Sequence, residues 1–298
     1  MLKDYQSIIE KALKKGRRRF AVAGAESKEV LEACLRAQDM GIMEPLLIGA
    51  ESNIRSIAGT EHFVLKSIRI YDSSNTVATA EKAAELVHEG IADAIMKGNI
   101  STPNVLKAIL DKRFGLRTGN LLSHIALMEV PTYHKLILIT DSGMVIRPTL
   151  EQKVHIIQNA VLVLQKLGID IPKVAILAAN EKVSPDMPET EHAVRLVQIA
   201  KQGGFGNAIV EGPMALDMAF SSESARIKGV ESRVAGDPDI LLVPDIACGN
   251  IFSKGLVYLA NAKISGIVVG ARMPIVLISR AEKAETWIRS IALANAIS

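Results

Sequence analysis

The sequence alternates short apolar runs with longer amphipathic stretches along its whole length. Several runs lack a polar residue at every second position, which is typical of strands covered on both faces. Repeated strand–helix alternation predicts an α/β fold with a mainly parallel sheet and helices on both sides. The runs interpreted as strands are 20–24, 45–49, 68–72, 92–97, 135–141, 173–179, 208–211, 240–245, 266–270 and 275–279.

Capping residues mark several helix boundaries. Thr149 and Gln152 have the spacing of a capping box, which predicts a helix start at this point. Thr102 followed by Pro103 predicts a second start, with proline at the first helical position. The stretch 282–297 is predicted to form the last helix.

Composition narrows the class of protein. A length of 298 residues is typical of a protein with two domains. The net charge of +3 and the aromatic content of 4% do not indicate a nucleic-acid partner. The basic residues of 14–19 are interpreted as the end of the first helix, where cations complement the dipole. No apolar run reaches the ~18 residues of a membrane span, and the N-terminus lacks the pattern of a signal peptide. With only two cysteines, the chain is expected in a reducing compartment, the cytoplasm.

Several common catalytic motifs are missing from the sequence. It contains no P-loop, no dinucleotide-binding glycine pattern after a strand and no G-x-S-x-G nucleophile motif. Its six histidines lack zinc-ligand spacing. The chemistry is therefore expected from polar residues at strand ends, where ligands bind in open α/β sheets.

The first such group follows the run 92–97. Lys97 and Gly98 lead into a predicted helix start at Ser101 and Thr102, which is a ready anion site. An ordinary capped turn explains this segment equally well. Arg117 and Thr118 follow in a stretch interpreted as turn-rich, with a solvated surface charge as the simpler explanation of the arginine.

Later strand ends carry further polar residues. Glu211 ends one run, and Asp245 and Asn250 follow another, where capping of the next helix is an alternative. Cys248 is interpreted as a small buried residue and not as a nucleophile. Ser279 and Arg280 end the last run, and the planar guanidinium suits a phosphate held against helix amides.

As a set, these segments resemble the phosphate acetyl/butyryltransferase family, and the phrases around 115–119 and 210–213 favour its butyryl branch. The similarity spans nearly the whole chain, in order. The segments that carry it are 93–98, 115–119, 122–124, 210–213, 235–245, 249–250 and 274–280.

The resemblance implies two α/β/α lobes with a central cleft, as in the isocitrate and isopropylmalate dehydrogenases. The first lobe is then 1–125 plus 275–298, and the second is 126–274, which carries the contact of a homodimer or larger homo-oligomer. The implied reaction is butanoyl-CoA + phosphate ⇌ butanoyl phosphate + CoA. CoA is a substrate, and the resemblance implies neither a metal nor a prosthetic group.

The resemblance also implies roles for individual residues. Ser279 and Arg280 match a catalytic Ser-Arg pair, and Ser101 stands where many relatives carry histidine. Thr286 stands where acetyl-transferring relatives carry an aspartate base. Glu285 is the candidate base, but it lies one residue earlier, about 100° round the helix, and is not a simple replacement. The candidate substrate-binding residues are Lys97, Gly98, Ser101, Thr102, Arg117, Thr118, Glu211, Asp245 and Asn250.

Two other kinds of protein fit the same pattern. A dehydrogenase of this fold needs a cluster of aspartates that binds a divalent metal. The sequence does not reveal such a cluster, because the candidate aspartates are too far apart along the chain; they are Asp217, Asp237, Asp239 and Asp245. A two-lobed protein that binds a small molecule without catalysis is the other alternative. The sequence does not determine the preferred acyl-chain length. That preference depends on a few apolar side chains of the substrate pocket, and the sequence does not show which residues these are.

Overall fold

The computed structural model describes residues 2–65, 67–279 and 282–298. Eleven strands are found in this part of the chain. They are β1 (Arg18–Ala23), β2 (Met43–Gly49), β3 (Arg69–Asp72), β4 (Ala94–Lys97), β5 (Ser123–Glu129), β6 (Ile137–Thr140), β7 (Lys173–Leu177), β8 (Ile209–Met214), β9 (Ile240–Leu242), β10 (Lys263–Val269) and β11 (Ile275–Val276).

Helices connect most of these strands. They are α1 (Tyr5–Lys15), α2 (Lys28–Asp39), α3 (Glu51–Thr60), α4 (Thr76–His88), α5 (Thr102–Leu110), α6 (Leu150–Lys166), α7 (Pro188–Lys201), α8 (Leu216–Phe220), α9 (Ser222–Ile227), α10 (Ile246–Ala260) and α11 (Ala284–Ile297). No helix in the described residues is both long enough and apolar enough to cross a membrane.

The chain divides into two compact units. The first unit is Tyr5–Asn120 with Ser265–Ser298, and the second is Leu121–Ile264 with the N-terminal residues up to Asp4. Residues 265–274 were predicted to lie in the second lobe, whereas the structure groups this segment with the first unit. The reason is pairing: Ile267 and Val268 of β10 pair with β11.

The first unit is built on strands in the order β3-β2-β1-β4-β11-β10. All neighbours are parallel except β10 and β11, as expected for a mainly parallel sheet. Helix α11 packs against α1 and α2. Twelve of its fourteen residues are buried, among them Trp287, which explains its apolar composition.

The second unit has strands in the order β5-β6-β9-β7-β8, of which only β5 and β6 are antiparallel. The capping box that opens α6 is confirmed. Gln152 N donates to Thr149 Oγ1 at 3.2 Å, and Thr149 N donates to Gln152 Oε1 at 3.0 Å.

Four local predictions from the sequence are wrong. Ser123 and His124 begin strand β5, although this part of the chain was interpreted as turn-rich. Ser101, not Thr102, caps α5. The last helix begins at Ala284, two residues later than predicted. Cys248 is exposed, not buried.

Candidate active site

Two glycine turns meet at the carboxyl edge of the first unit's sheet. Lys97, the last residue of β4, pairs with Ala23 of β1, so both strands end side by side. Gly98 N donates to Ala23 O at 2.8 Å, and Asn99 N donates to Gly24 O at 2.6 Å. A Cβ at Gly98 would lie 2.2 Å from Gly24 O, so only glycine fits this contact.

Lys97 carries the positive charge at this edge. Its side chain is only 3% exposed, and Nζ donates to Gly98 O at 3.2 Å. An ammonium at the carboxyl end of a strand lies where open α/β sheets bind ligands, and its positive charge favours an anion.

Helix α5 begins directly after this turn. Ser101 Oγ accepts from Asn104 N at 3.4 Å, and Pro103 lies in the first turn. Asn104 Nδ2 donates to Thr76 Oγ1 at 3.2 Å, which connects α5 to the start of α4. Ser101 is thus a capping residue, and Thr102 is the first helical residue, with the N-terminal end of the helix dipole close by.

A polar cavity of about 200 Å³ lies at the same edge and was missed by the sequence analysis. Glu26 and Asn99 line it together with hydroxyl side chains, and Glu26 Oε1 accepts from Ala50 N at 2.7 Å. A signal was present in the sequence, because Ser73-Ser74-Asn75-Thr76 directly follows the run 68–72. The hydroxyl side chains are Ser73, Ser74, Thr76 and Thr79.

Ser279 and Arg280 follow β11, which runs parallel to β4 with Val276 opposite Met96. The chain therefore leaves β11 at the edge where Lys97 lies. Strand β11 ends at Val276, three residues earlier than predicted, and the Ser279 side chain is exposed. Arg280 lies outside the described residues, so its role stays a prediction.

Glu285 is engaged in an ion pair on the surface of the first unit. Arg36 NH1 donates to Glu285 Oε1 at 2.9 Å, and this hydrogen bond lowers the pKa of the carboxyl below its ordinary value. Thr286 is buried, and its Oγ1 accepts from Arg289 at 3.2 Å. A stabilised carboxylate is a weaker base, which argues against the proton-accepting role predicted for Glu285.

Arg117 and Thr118 belong to a turn that contacts the loop after β10. Thr118 Oγ1 donates to Gly270 O at 2.5 Å, and Arg117 forms a backbone bridge with Ala271. The Arg117 side chain is exposed. Thr118 therefore fixes the turn.

A buried aspartate organises the carboxyl edge of the second unit's sheet. Asp141, which is 2% exposed, follows β6 and accepts hydrogen bonds from His124 N, Gly143 N and Met144 N at 2.7–2.8 Å. His124 Nδ1 lies 3.0 Å from Ser142 Oγ. Asp141 was not among the predicted site residues, although it stands directly at the end of a predicted strand.

Asp245 and Asn250 lie at the same edge, at the start of α10. Asp245 Oδ1 accepts from Cys248 N at 2.9 Å, so the capping alternative describes its contact in this structure. Asn250 Nδ2 donates to Ser142 O at 3.5 Å. The structure thus brings Asn250 to the loop that Asp141 organises.

Glu211 lies elsewhere. Strand β8 continues to Met214, so Glu211 is within the strand and not at its end. Ser232 Oγ donates to Glu211 Oε2, and Arg233 N donates to Oε1 at 3.2 Å. Two strands, β7 and β9, separate β8 from β6, so Glu211 stabilises a loop away from Asp141.

Two of the four aspartates considered for a metal-dependent dehydrogenase, Asp237 and Asp239, are paired with lysines. Lys135 Nζ lies 2.6 Å from Asp239 Oδ1 and 2.7 Å from Asp237 Oδ1, and Lys173 contacts Asp237. Burial raises the pKa of Asp237, but its hydrogen bonds with Lys135, Lys173 and His134 lower it more, far below the usual range. Among the described residues, no group of three or more His, Cys, Asp or Glu side chains could hold a metal ion.

Comparison with known proteins identifies the family. Residues 73–295 match the family described as Phosphate acetyl/butaryl transferase. Over all 298 residues the chain is 40% identical to the phosphate butyryltransferase of Clostridium acetobutylicum, covering 99% of that protein. It is 42% identical to the phosphate acetyltransferase of Thermotoga maritima, with 97% of each chain covered. The protein belongs to the phosphate acetyl/butyryl transferase family, as the motif resemblance predicted.

Solved structures agree with this assignment. A branched-chain phosphotransacylase from Enterococcus faecalis V583 matches with a TM-score of 0.84 and 32% identity, covering 94% of this chain and 99% of that one. A 4-hydroxythreonine-4-phosphate dehydrogenase from Burkholderia phymatum matches with a TM-score of 0.56 and 14% identity, covering 94% and 98%. The second match shows the fold alone, and it confirms the predicted dehydrogenase-like fold class.

Proposed function

We propose that the protein transfers a short-chain acyl group between CoA and inorganic phosphate, with butanoyl-CoA + phosphate ⇌ butanoyl phosphate + CoA as its reaction. The observation that carries this proposal is the 40% identity to a phosphate butyryltransferase over the full chain. The buried ammonium of Lys97 beside the start of α5 supports it, because the substrates are anions.

The proposed chemistry is direct transfer while both substrates are bound. In the direction of CoA acylation, the thiolate sulfur attacks the carbonyl carbon of the acyl phosphate. A carbon–sulfur bond forms, the carbon–oxygen bond to phosphorus breaks, and phosphate leaves with the electron pair. Holding the two anions together and stabilising the developing oxyanion are the main tasks of the protein.

Each candidate site residue has a proposed part in this step. Arg280 and Lys97 hold the phosphate together with the amides near Thr102, and Ser279 donates a hydrogen bond to the thiolate or the oxyanion. A thiol with a pKa of about 8.5 is already a few per cent ionised at pH 7, so no strong base is needed. The proposed step uses neither a metal nor a prosthetic group. We also infer a cytoplasmic setting, which the free thiols Cys34 and Cys248 support.

Acyl transfer to CoA predicts a specific dependence on phosphate. Each straight-chain acyl-CoA from two to eight carbons is incubated with the protein, with and without phosphate, and the free thiol is measured. We expect thiol release only with phosphate, and the highest kcat/KM for butanoyl-CoA. An acetyl optimum would favour the phosphate acetyltransferase alternative, which the 42% identity to the Thermotoga maritima enzyme supports.

Two outcomes of that experiment would contradict the proposal. Absence of thiol release with every acyl-CoA would leave a binding protein as the better explanation. Reduction of a nicotinamide cofactor by a hydroxy acid would favour the dehydrogenase alternative.

We further infer that the protein forms a homodimer through helix α10. Ile251, Tyr258 and Leu259 are 73%, 78% and 88% exposed, and they lie on one side of the helix. An exposed apolar face of this kind is typical of a protein–protein interface.

The homodimer predicts that a charge on α10 separates the subunits. Leu259→Glu is expected to convert the dimer to a monomer, because the carboxylate would be desolvated in the interface. Sedimentation velocity measures the change. Leu162→Glu on α6, where the leucine is 53% exposed, is the matched control and is expected to remain dimeric. A monomeric wild-type protein, or a dimeric Leu259→Glu variant, would contradict the assignment.

A further inference from the structure

The sheet of the first unit has a topological switch point between β1 and β4. The chain winds from β1 through β2 to β3 and then crosses back to β4, on the other side of β1. All of these neighbours are parallel, so their carboxyl ends lie at one edge. Open α/β sheets bind ligands in the crevice outside the carboxyl ends of the strands at such a point.

The polar cavity of about 200 Å³ lies at this switch point. The turns after β1, β3 and β4 form its wall together with the first turns of α3 and α4. Apart from Gly24 and Ile100, every described residue that lines the cavity has a polar side chain, and Glu26 is the charged one among them. The cavity is therefore built for a ligand with hydrogen-bonding groups.

Glu26 supplies a hydrogen-bond acceptor to this cavity. Its carboxylate lies at the end of β2, where Oε1 accepts from Ala50 N at 2.7 Å. A Cβ at Gly49 would lie 2.5 Å from both carboxylate oxygens, so the glycine makes room for them. Among the described residues, no other hydrogen bond or ion pair reaches this carboxylate. Oε2 can therefore accept from a ligand.

Hydroxyl and amide side chains supply the donors. Thr76 Oγ1 accepts from Asn104 Nδ2 at 3.2 Å, which leaves the hydroxyl proton of Thr76 available. The side chains of Ser74 and Asn53 make no hydrogen bond within the part of the chain that the structure describes. The cavity thus combines a carboxylate acceptor with several uncharged donors.

The charge of the cavity selects the class of ligand. Neither lysine nor arginine occurs among the described lining residues, so an anion would meet the carboxylate of Glu26 without compensation. A metal ion has too few ligands, because one carboxylate already accepts from Ala50 N, and the described residues contain no group of side chains that could hold a metal. An uncharged ligand that donates to a carboxylate and accepts from hydroxyls fits best.

We propose that this cavity binds a furanose with a cis-diol, as in the ribose of a nucleoside, and that the diol donates to Glu26 Oε2. In dinucleotide-binding sheets of the order 3-2-1-4, an acidic side chain likewise hydrogen-bonds a ribose hydroxyl. The turn after β1 lacks the glycine pattern that holds a pyrophosphate, so we propose a ribose and not a dinucleotide. The ring oxygen and the 5′ oxygen accept from Thr76 and Ser74.

This site is separate from acyl transfer. The ribose of CoA carries a 3′-phosphate, which removes one hydroxyl of the diol and would bring negative charge to Glu26. CoA is therefore a poor ligand for the cavity. Binding is measured without turnover, so a failure of this proposal leaves the proposed function unchanged.

Saturation-transfer NMR with the full-length protein tests the diol. The probes are adenosine, 2′-deoxyadenosine, 3′-deoxyadenosine and methyl β-D-ribofuranoside. We expect adenosine to bind with a Kd on the order of 1 mM, with the strongest saturation at its ribose protons. Loss of either hydroxyl is expected to weaken binding by about 10-fold. Equal binding of the methyl riboside indicates that the sugar alone is recognised, and binding of adenosine alone indicates a nucleoside.

Variants test whether the carboxylate is responsible. Glu26→Gln is expected to weaken adenosine binding by about 10- to 100-fold, because the hydrogen bonds to a charged acceptor are lost, while the amide oxygen can still accept from Ala50 N. Glu51→Gln is the matched control and is expected to bind as wild type. Its carboxylate follows Ala50 directly but pairs with Arg55 and does not line the cavity.

Thermal melts confirm that the variants are folded. If Glu26→Gln does not fold, Thr76→Val takes its place, and loss of the hydroxyl donor is expected to weaken adenosine binding by about 10-fold. Three results would overturn the proposal. They are absence of saturation with adenosine, equal affinity for the two deoxynucleosides and adenosine, and unchanged affinity in the folded cavity variant.

Discussion

Arg280→Ala is expected to lower the rate of acyl transfer by about 30- to 1000-fold while the fold is kept. The residue follows the last predicted strand, in the dipeptide that the family resemblance places beside the reacting groups. Loss of a charge-assisted contact to phosphate is worth ~2–4 kcal/mol of transition-state stabilisation. Steady-state kinetics with varied phosphate measure the loss.

Arg280→Lys is the informative comparison for this prediction. An ammonium does not reproduce the two parallel hydrogen bonds of a guanidinium, so little activity is expected to return. Thermal melts of both variants control for folding. If Arg280 only pairs with a surface carboxylate, alanine costs less than ~1 kcal/mol of stability, and wild-type turnover would then refute the assignment.

Gly98→Ala is expected to damage both stability and activity. The new Cβ would lie 2.2 Å from Gly24 O and 3.0 Å from Gly24 C, so the backbone of one turn must move. Overpacking of this kind costs about 1–3 kcal/mol of unfolding free energy. A displacement of ~1 Å next to Lys97 is expected to reduce kcat by on the order of 100-fold. Denaturant unfolding and kinetics measure the two effects.

Gly59→Ala provides a matched control for that substitution. Gly59 lies in α3, and an added Cβ would have no neighbour within 4 Å. Alanine in a helix is favoured over glycine by about 0.5–1 kcal/mol, so this variant is expected to be at least as stable as wild type. Equal behaviour of the two alanine variants would show that the contact between the glycine turns is not required.

Local sequence signals predicted many of the elements correctly. The capping box at Thr149 and Gln152 forms as expected, since its hydrogen bonds join residues three positions apart. Apolar runs without alternation correctly located strands such as β6 and β7, because strands buried on both faces need apolar residues throughout. Capping residues and apolar runs can be recognised from neighbouring residues alone, whatever the distant parts of the chain do.

Contacts between distant residues decide the surroundings of other polar groups. Glu285 was a plausible base in sequence, but Arg36, far away in the chain, engages its carboxylate. Asp141 was not selected, and its part in the site follows from the pairing of β6 with β5, which brings His124 beside it. Neither the contact of Arg36 with Glu285 nor that of His124 with Asp141 can be predicted from the spacing of residues along the chain.

The sequence by itself determined the α/β class, the family and the strand-end turn at Lys97, because hydrophobic period, capping residues and local motifs act over a few positions. Tertiary structure alone decided which of the strand-end residues meet. It placed Gly98 against Gly24 and removed Glu211 from the edge that carries Asp141. The physical reason is that strand order and side-chain burial result from packing of the whole unit, which no short segment specifies.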